Sequence, residues 1–169
     1  MSLGHKIAVI AAGYVGQQEI TGNKGFKNSA FQKKMQDCGW QIGQSWCAFF
    51  SELVWKEAFG KSHPAYASLD RLFSPSAVST YSNFKGSTTF KCGNTPKLGA
   101  LVVWRQGNGW QGHIGIVESI VDATTFRTVE GNTNSAGGRE GIEVARKTRK
   151  LGLPFKSKGL NIIGFVYPE

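Results

Sequence analysis

Cysteine, proline and long apolar runs are all scarce in this chain. It has three cysteines and five prolines in 169 residues, and no segment approaches the roughly 20 apolar residues that cross a membrane. So few cysteines, and an odd number, exclude a disulfide-stapled scaffold. A hydrophobic content of 40% and a charged content of 18% exclude a disordered or collagen-like chain. We therefore expect one globular domain over residues 1–169, with residues 1–4 set aside as a start that expression vectors often supply.

Acidic residues are scarce as well. The chain has 11 of them against 20 lysines and arginines, which gives a net charge of +9 and a pI of about 9.6. Such an excess indicates a polyanionic partner or environment, of which nucleic acid, acidic lipid headgroups and bacterial cell wall are examples. The densest basic run, residues 146–150, is interpreted as a solvated face rather than as a binding patch.

Metal-binding patterns are missing from the sequence. It has no Cys-x-x-Cys, His-Glu-x-x-His or calcium-loop spacing, and its three histidines lie far apart, so we expect no metal and no cofactor. His5 and His63 are expected at the surface or in loops. Cys38 and Cys92 are expected to be small buried apolar residues, although a disulfide between them stays open.

The spacing of apolar residues changes from helical to strand-like along the chain. It predicts three helices, at about residues 5–18, from Asn28 or Ser29 to Asp37, and at 46–59, the last capped by Ser45 and stopped by Gly60. After Leu98 it predicts about five strands, at 100–104, 113–121, 125–130, 142–148 and 162–167. Their short connections make the strands antiparallel, and helices followed by strands predict an α+β fold.

Two segments are less regular. Residues 61–95 read as loop-like, with a short helix at 76–84, and are interpreted as a substrate-facing insertion beside the site. Residues 132–141 read as a polar, glycine-rich loop.

Cys47 is the strongest candidate for a chemical role. It follows a helix-capping residue and opens an apolar-periodic stretch, so we expect it in the first turn of a helix. Unpaired backbone N–H groups and the helix dipole favour a thiolate there, which is the form of cysteine that attacks carbonyls. His113, where a strand begins, would supply the base or ion-pair partner of this nucleophile.

An imidazole base needs a group that orients it. Glu130 and Asn132, near the end of a strand, can each accept a hydrogen bond from His113. Glu130 is preferred because a carboxylate stabilises an imidazolium better than a neutral amide does.

Acyl transfer also needs donors for the oxyanion and contacts for the substrate. The backbone N–H of Cys47 is an expected oxyanion donor, and Gln41 or Gln44 could add a side-chain amide. Trp46 is expected, with these two glutamines, to line the oxyanion and substrate-binding site.

Four motifs resemble the CHAP family of cysteine, histidine-dependent amidohydrolases and peptidases. They are Trp46-Cys47-Ala48-x-Phe50, Pro96-x-x-Gly99-Ala100-Leu101-Val102-Val103-Trp104, Gly112-His113-Ile114-Gly115-Ile116-Val117 and Val129-Glu130-Gly131-Asn132-Thr133-Asn134. The resemblance spans roughly residues 5–167. It implies a papain-like α+β fold and cleavage of amide bonds in peptidoglycan.

By this resemblance Cys47 is the nucleophile, His113 the base, Glu130 the orienting residue and Asn132 an accessory polar residue. The chain departs from the family's pattern in two places. Many members have Gly-Asp where this chain has Gly99-Ala100, and some bind calcium through aspartates just before the cysteine. Residues 41–45 contain no aspartate, so calcium is not carried over.

Three functions stay open from the sequence. The leading hypothesis is a peptidoglycan hydrolase, acting as an endopeptidase or as an N-acetylmuramoyl-L-alanine amidase on a polyanionic wall. The alternatives are a thiol peptidase or transferase on protein substrates and, less favoured, a basic nucleic-acid-binding module without catalysis. We expect a monomer that binds neither membrane nor specific nucleic acid. The absence of a signal peptide predicts cytoplasmic synthesis, with delivery to the wall or periplasm by a phage-lysis or toxin route.

Overall fold

A computed structural model describes residues 1–133 and 141–169. Its helices are α1 (Leu3–Gly13), α2 (Ser29–Asp37), α3 (Cys47–Phe59), α4 (Tyr66–Leu72) and α5 (Ala77–Gly86). Its strands are β1 (Cys92–Gly93), β2 (Leu101–Gln106), β3 (Gly112–Ile120), β4 (Thr125–Thr133), β5 (Glu143–Lys150) and β6 (Leu160–Val166). The predicted α+β class is confirmed. The loop predicted over 132–141 falls largely on residues outside the described part.

The first helix begins earlier and ends earlier than the sequence predicts. Ser2 caps α1 by accepting a hydrogen bond from the backbone of His5, and a Cβ on Gly4 would lie 2.3 Å from the Leu98 carbonyl oxygen. The first residues therefore pack as part of the fold. Beyond the end of α1, Gln18 forms a β-bridge with Glu143, which is why the helix does not reach residue 18.

Helix α3 runs through the centre of the protein. Eleven of its thirteen residues are buried, as expected for a helix that is apolar on nearly all sides. Its N-cap is Trp46, which makes no side-chain capping hydrogen bond, so the predicted cap at Ser45 was wrong. Gly60, with φ of 73°, ends the helix as predicted, because this backbone conformation suits glycine best.

The segment 61–95 is not an irregular insertion. It forms α4, α5 and the short strand β1, and it contributes core residues such as Leu69, Phe73 and Phe84. Lys56 on α3 pairs with Asp70 on α4 and with Glu52 at 2.8 Å, which ties α4 to the central helix. The loop-like interpretation was therefore wrong for most of this segment.

The sheet has the order β1-β6-β2-β3-β4-β5, and all neighbouring strands are antiparallel. Its two faces pack differently. One face contributes to the core shared with the helices, through Leu101, Val103, Ile114, Ile116, Val129 and Val166. The other face forms a second cluster with Ala100, Val102, Trp104, Val117, Phe126, Phe165 and Tyr167. In the described part of the chain, no helix is long and apolar enough to cross a membrane.

Candidate active site

Cys47 is the first residue of α3, as its sequence context predicts. The first turn of α3 receives no capping hydrogen bond from the Trp46 side chain. The Cys47 side chain lies in the core shared by helices and sheet and keeps 7% of its surface exposed. This position places the Cys47 thiol at the positive end of a buried helix dipole.

His113 and Glu130 form a fully buried pair across β3 and β4. Nε2 of His113 lies 2.8 Å from Oε2 of Glu130, and neither side chain is exposed. A carboxylate only accepts hydrogen bonds, so Nε2 carries the proton that it donates to Glu130. The other ring nitrogen, Nδ1, is then the one available to a reacting group.

A glycine gives Glu130 the room to reach His113. Gly115 lies two residues beyond His113 on β3, on the same face of the strand. A Cβ at this position would stand 2.6 Å from Cγ of Glu130 and 3.4 Å from its Cδ. The carboxylate arm therefore crosses β3 directly above Gly115.

The Glu130 carboxylate accepts further hydrogen bonds from two neighbours. Thr128 donates its hydroxyl to Oε1 at 2.6 Å. Arg149 on β5 donates Nε to Oε1 at 2.8 Å and Nη2 to Oε2 at 2.6 Å. Burial raises the pKa of Glu130, but the hydrogen bonds and charges of His113 and Arg149 outweigh it and hold the pKa well below its usual range. The group is a carboxylate at neutral pH.

Cys47 and Glu130 together set the charge state of His113. Burial disfavours the imidazolium, but hydrogen bonding and charge from Cys47 and Glu130 outweigh burial and raise the pKa of His113 to about 9. Nδ1 has no hydrogen bond of standard geometry to any described residue. Since Nε2 is occupied by Glu130, Nδ1 is the ring nitrogen left to interact with Cys47.

Trp104 lies on β2, the strand next to that of His113. The two residues are paired across β2 and β3, and their ring centroids are 5.6 Å apart. The Arg149 guanidinium lies over the same indole, 4.7 Å from its centroid. Trp104, His113, Glu130 and Arg149 thus form a continuous cluster.

Asn132 lies beyond Glu130 on β4 and does not occupy Nε2 of His113. It is buried, with φ of 54°, a left-handed conformation that asparagine tolerates better than most residues. The pairing of β4 with β5 is irregular between Glu130 and Thr133, so Asn132 sits in a bulge. Bulges of this kind redirect side chains next to functional sites.

Gln41 and Gln44 form a closed turn before α3. The Gln44 side-chain oxygen accepts from the Gln41 backbone at 2.8 Å, and its carbonyl accepts from Nε1 of Trp40 at 2.9 Å. Gln44 is half-buried, whereas the Gln41 side chain is exposed to solvent.

Trp46 does not line a substrate site. Its side chain is fully buried, packs edge-on against Phe26 at 4.9 Å, and donates Nε1 to Glu19 at 3.3 Å. The expectation that Trp46 binds substrate is therefore corrected, because the side chain next to Cys47 in sequence is buried in the core.

A family model provides the comparison that decides the classification. The model of the CHAP domain matches residues 28–132, which contain Cys47, His113, Glu130 and Asn132. The chain belongs to the CHAP domain family. Membership of this CHAP family supports an amidase or peptidase of the peptidoglycan-hydrolase type in general. A search of curated proteins found none that matches the chain.

Sequence reasoning missed Arg149, Thr128 and Gly115 as members of this CHAP site. Arg149 was assigned to a solvated basic run, yet its guanidinium reaches the buried carboxylate. Lys147, two residues earlier, also has a buried Nζ, and burial lowers its pKa. Strand alternation puts residues 147 and 149 on one face of β5, which is the signal that could have separated them from their exposed neighbours.

The three cysteines are free thiols, so the Cys38–Cys92 disulfide that the sequence left open is not formed. The described residues contain no group of three or more histidine, cysteine and acidic side chains that could hold a metal ion.

Proposed function

We propose that this CHAP domain is a cysteine amidohydrolase or endopeptidase that cleaves amide bonds of bacterial peptidoglycan through an acyl-enzyme on Cys47. The observation that carries the proposal is the convergence of Cys47, His113 and Glu130, which come from α3, β3 and β4. A thiol at a helix start, beside an imidazole held by a buried carboxylate, is the arrangement that nucleophilic acyl transfer requires.

Acylation begins with the Cys47 thiolate and the His113 imidazolium. The sulfur attacks the carbonyl carbon of the scissile amide, and the carbonyl electrons move to the oxygen to give a tetrahedral oxyanion. When this intermediate collapses, the C–N bond breaks and Nδ1 of His113 gives its proton to the departing nitrogen. A thioester on Cys47 and a free amine result.

Deacylation reverses the proton flow. Water attacks the thioester carbonyl while Nδ1 of His113, now neutral, accepts one of its protons. Collapse of the second tetrahedral intermediate breaks the C–S bond, releases a carboxylic acid and restores the thiolate and imidazolium. Glu130 stays ionised in this scheme and keeps the proton on Nε2, so that Nδ1 is always the nitrogen that exchanges protons.

The oxyanion of both intermediates needs donors near the sulfur. The backbone N–H of Cys47 belongs to the uncapped first turn of α3 and fits this role. The Gln41 side-chain amide is the proposed second donor, since its turn precedes the helix and leaves the side chain exposed. Asn132 is proposed to support the site from the bulge after Glu130.

The charge of the chain suits a wall substrate. A net charge of +9 favours attraction to the anionic polymers of bacterial walls, which would concentrate the domain on its substrate. We propose that the enzyme acts as a monomer and reaches the wall by a phage-lysis or toxin-delivery route.

Digestion of purified sacculi tests the function. Wild-type protein should release soluble muropeptides, and Cys47→Ala should lower the rate by several orders of magnitude with an unchanged circular dichroism spectrum. Cys38→Ser is the matched control and should retain activity. Mass spectrometry of the products identifies the bond, because an amidase frees the lactyl carboxylate of muramic acid and an endopeptidase cuts within the peptides.

Two outcomes would contradict the proposal. Full activity of Cys47→Ala would remove the nucleophile, and intact sacculi beside cleavage of a protein substrate would favour a thiol peptidase instead.

A further inference from the structure

Arg149 on β5 makes two hydrogen bonds to the Glu130 carboxylate. Its Nε and Nη2 donate to the two different oxygens of Glu130, at 2.8 and 2.6 Å. This parallel pair of hydrogen bonds fixes the plane of the carboxylate as well as its position. One of the two oxygens, Oε2, is the oxygen that accepts from Nε2 of His113. The orientation of the imidazole is therefore set through Glu130 by Arg149.

Arg149 is itself held in place. Its guanidinium lies on the Trp104 indole, 4.7 Å from the ring centroid. The Trp104 ring is in turn 5.6 Å from the ring of His113. The contacts close into a cycle of four side chains, in which rotation of the guanidinium would break contacts at both Trp104 and Glu130.

Another arginine on the same strand shows what an ordinary ion pair looks like here. Arg146 donates Nε to both oxygens of Glu118, at 2.9 and 3.0 Å. About half of the Arg146 side chain is exposed, against 20% of Arg149. Glu118 makes no contact with His113 among the described hydrogen bonds and ion pairs. This pair supplies a matched control for Arg149.

The catalytic cycle gives Arg149 a reason to be a permanent cation. His113 is an imidazolium when Cys47 attacks, but it becomes neutral once it has protonated the leaving amine. At that stage Glu130 would be a buried carboxylate facing a neutral ring, and such a group tends to take up a proton. An arginine cannot lose its charge in this range, so it keeps a cation beside Glu130 at every step.

We propose that Arg149 is a positioning residue of the catalytic centre, which keeps Glu130 oriented and ionised while His113 changes charge. The proposal rests on the proposed function, since it assigns Arg149 a place in that reaction. Thr128 completes the set by donating its hydroxyl to Oε1, the oxygen that His113 does not use.

Arg149→Met, compared with Arg149→Lys, tests the proposal on a soluble muropeptide. Arg149→Met should lower kcat about ten-fold or more and leave KM within about two-fold, because Arg149 acts on the imidazole and not on the substrate. Glu130 would lose two hydrogen bonds and a cation, so its pKa would rise into the assay range. The acid limb of the kcat profile should therefore move to higher pH.

Arg149→Lys separates charge from geometry. Lysine keeps the cation but lacks the planar fork, so the acid limb should stay near its wild-type position while kcat falls several-fold. Arg146→Met should leave both kcat and the acid limb unchanged. A merely structural role of Arg149 would lower the melting temperature and the amount of active enzyme, but it would not shift the limb.

Each result of this experiment supports or overturns the proposed role of Arg149. A wild-type kcat and acid limb in Arg149→Met would overturn the proposal, provided that Cys47→Ala is inactive in the same assay. If Cys47→Ala stays active, the proposed function fails and not the role of Arg149 alone. If Arg149→Met does not fold, Arg149→Lys decides, and a wild-type kcat in that variant would overturn the need for the fork.

Discussion

Gly115 on β3 and Glu130 on β4 approach so closely that a Cβ at position 115 would lie 2.6 Å from Cγ of Glu130. Because side chains essentially never tolerate such a distance, the buried carboxylate and the missing side chain depend on each other. The Gly-His-Ile-Gly motif thus contributes to the proposed catalytic centre twice, once through His113 and once through the space above Gly115.

Gly115→Ala should displace Glu130 from His113 and lower kcat about ten-fold or more, because misplacement by about 1 Å at a catalytic group has effects of this size or larger. Gly13→Ala is the control, since nothing lies within 4 Å of a Cβ at that position. Muropeptide release by the two variants, normalised to folded protein, checks the expectation. Equal activity of the two variants would show that Glu130 accommodates the added methyl group without loss of catalysis.

In Glu130→Gln, activity should be lost at a lower alkaline pH than in the wild type. Glu130 helps to raise the pKa of His113 to about 9, so removing its charge lowers that pKa and moves the alkaline limb of kcat to lower pH. Activity at neutral pH should fall about ten-fold or more. Glu118→Gln, on the neighbouring strand, should change neither limb. An unshifted alkaline limb in Glu130→Gln would contradict the conclusion that Glu130 raises the pKa of His113.

The pKa of His113 also makes stability depend on pH. It rises from 6.5 to about 9 on folding, so the imidazolium stabilises the folded state fully below pH 6.5. This contribution is lost as the pH rises through about 9. The free energy of unfolding should drop by a few kcal/mol across that window, since each pKa unit corresponds to about 1.4 kcal/mol. Urea denaturation of wild type and of His113→Gln measures it, because the variant lacks the titrating group.

Thiol labelling should separate the three cysteines. Burial raises the pKa of Cys38 to about 12 and also raises that of Cys92, so both are thiols at neutral pH. Cys47 lies at a helix N-terminus beside His113 and should react first with iodoacetamide, although it is the most buried of the three. Peptide mapping after brief labelling gives the order. Faster modification of Cys38 would contradict the assigned nucleophile.

Chelators should leave the activity unchanged. Calcium needs about six or more oxygen ligands, and the described residues offer no group of three or more potential metal-ligating His, Cys, Asp or Glu side chains. Sacculus digestion with and without EDTA checks this. Inactivation that calcium reverses would place ligands elsewhere in the chain.

The order of helices and strands could be predicted because the apolar spacing changes once, near Leu98. Gly60 marked the end of α3 correctly, since it adopts a positive φ. The short helix predicted at 76–84 is confirmed as α5, whereas α4 was not predicted. Helix α4 has 7 residues, and a helix this short owes its stability to packing rather than to local propensity.

The chemistry-bearing residues could be predicted individually, but their supporting contacts could not. Cys47, His113 and Glu130 each stand in a recognisable local pattern. The partnership of Arg149 with Glu130 depends on the register between β4 and β5, which includes an irregular step after Glu130 that no local pattern marks. Trp46 was misassigned for a similar reason, because adjacency in sequence does not tell which way a helix-capping side chain turns.

The burial of α3 on nearly all sides places Cys47 at the start of a well-protected helix. A helix with eleven of thirteen residues buried has no route to local fraying that leaves the rest intact. Amide hydrogens in its central turns should exchange with solvent only when the whole domain opens. Heat inactivation should then coincide with global melting, so that calorimetry and residual activity follow one curve. Stabilising substitutions in any part of the fold should improve heat tolerance, since the region around Cys47 does not unfold before the rest of the domain.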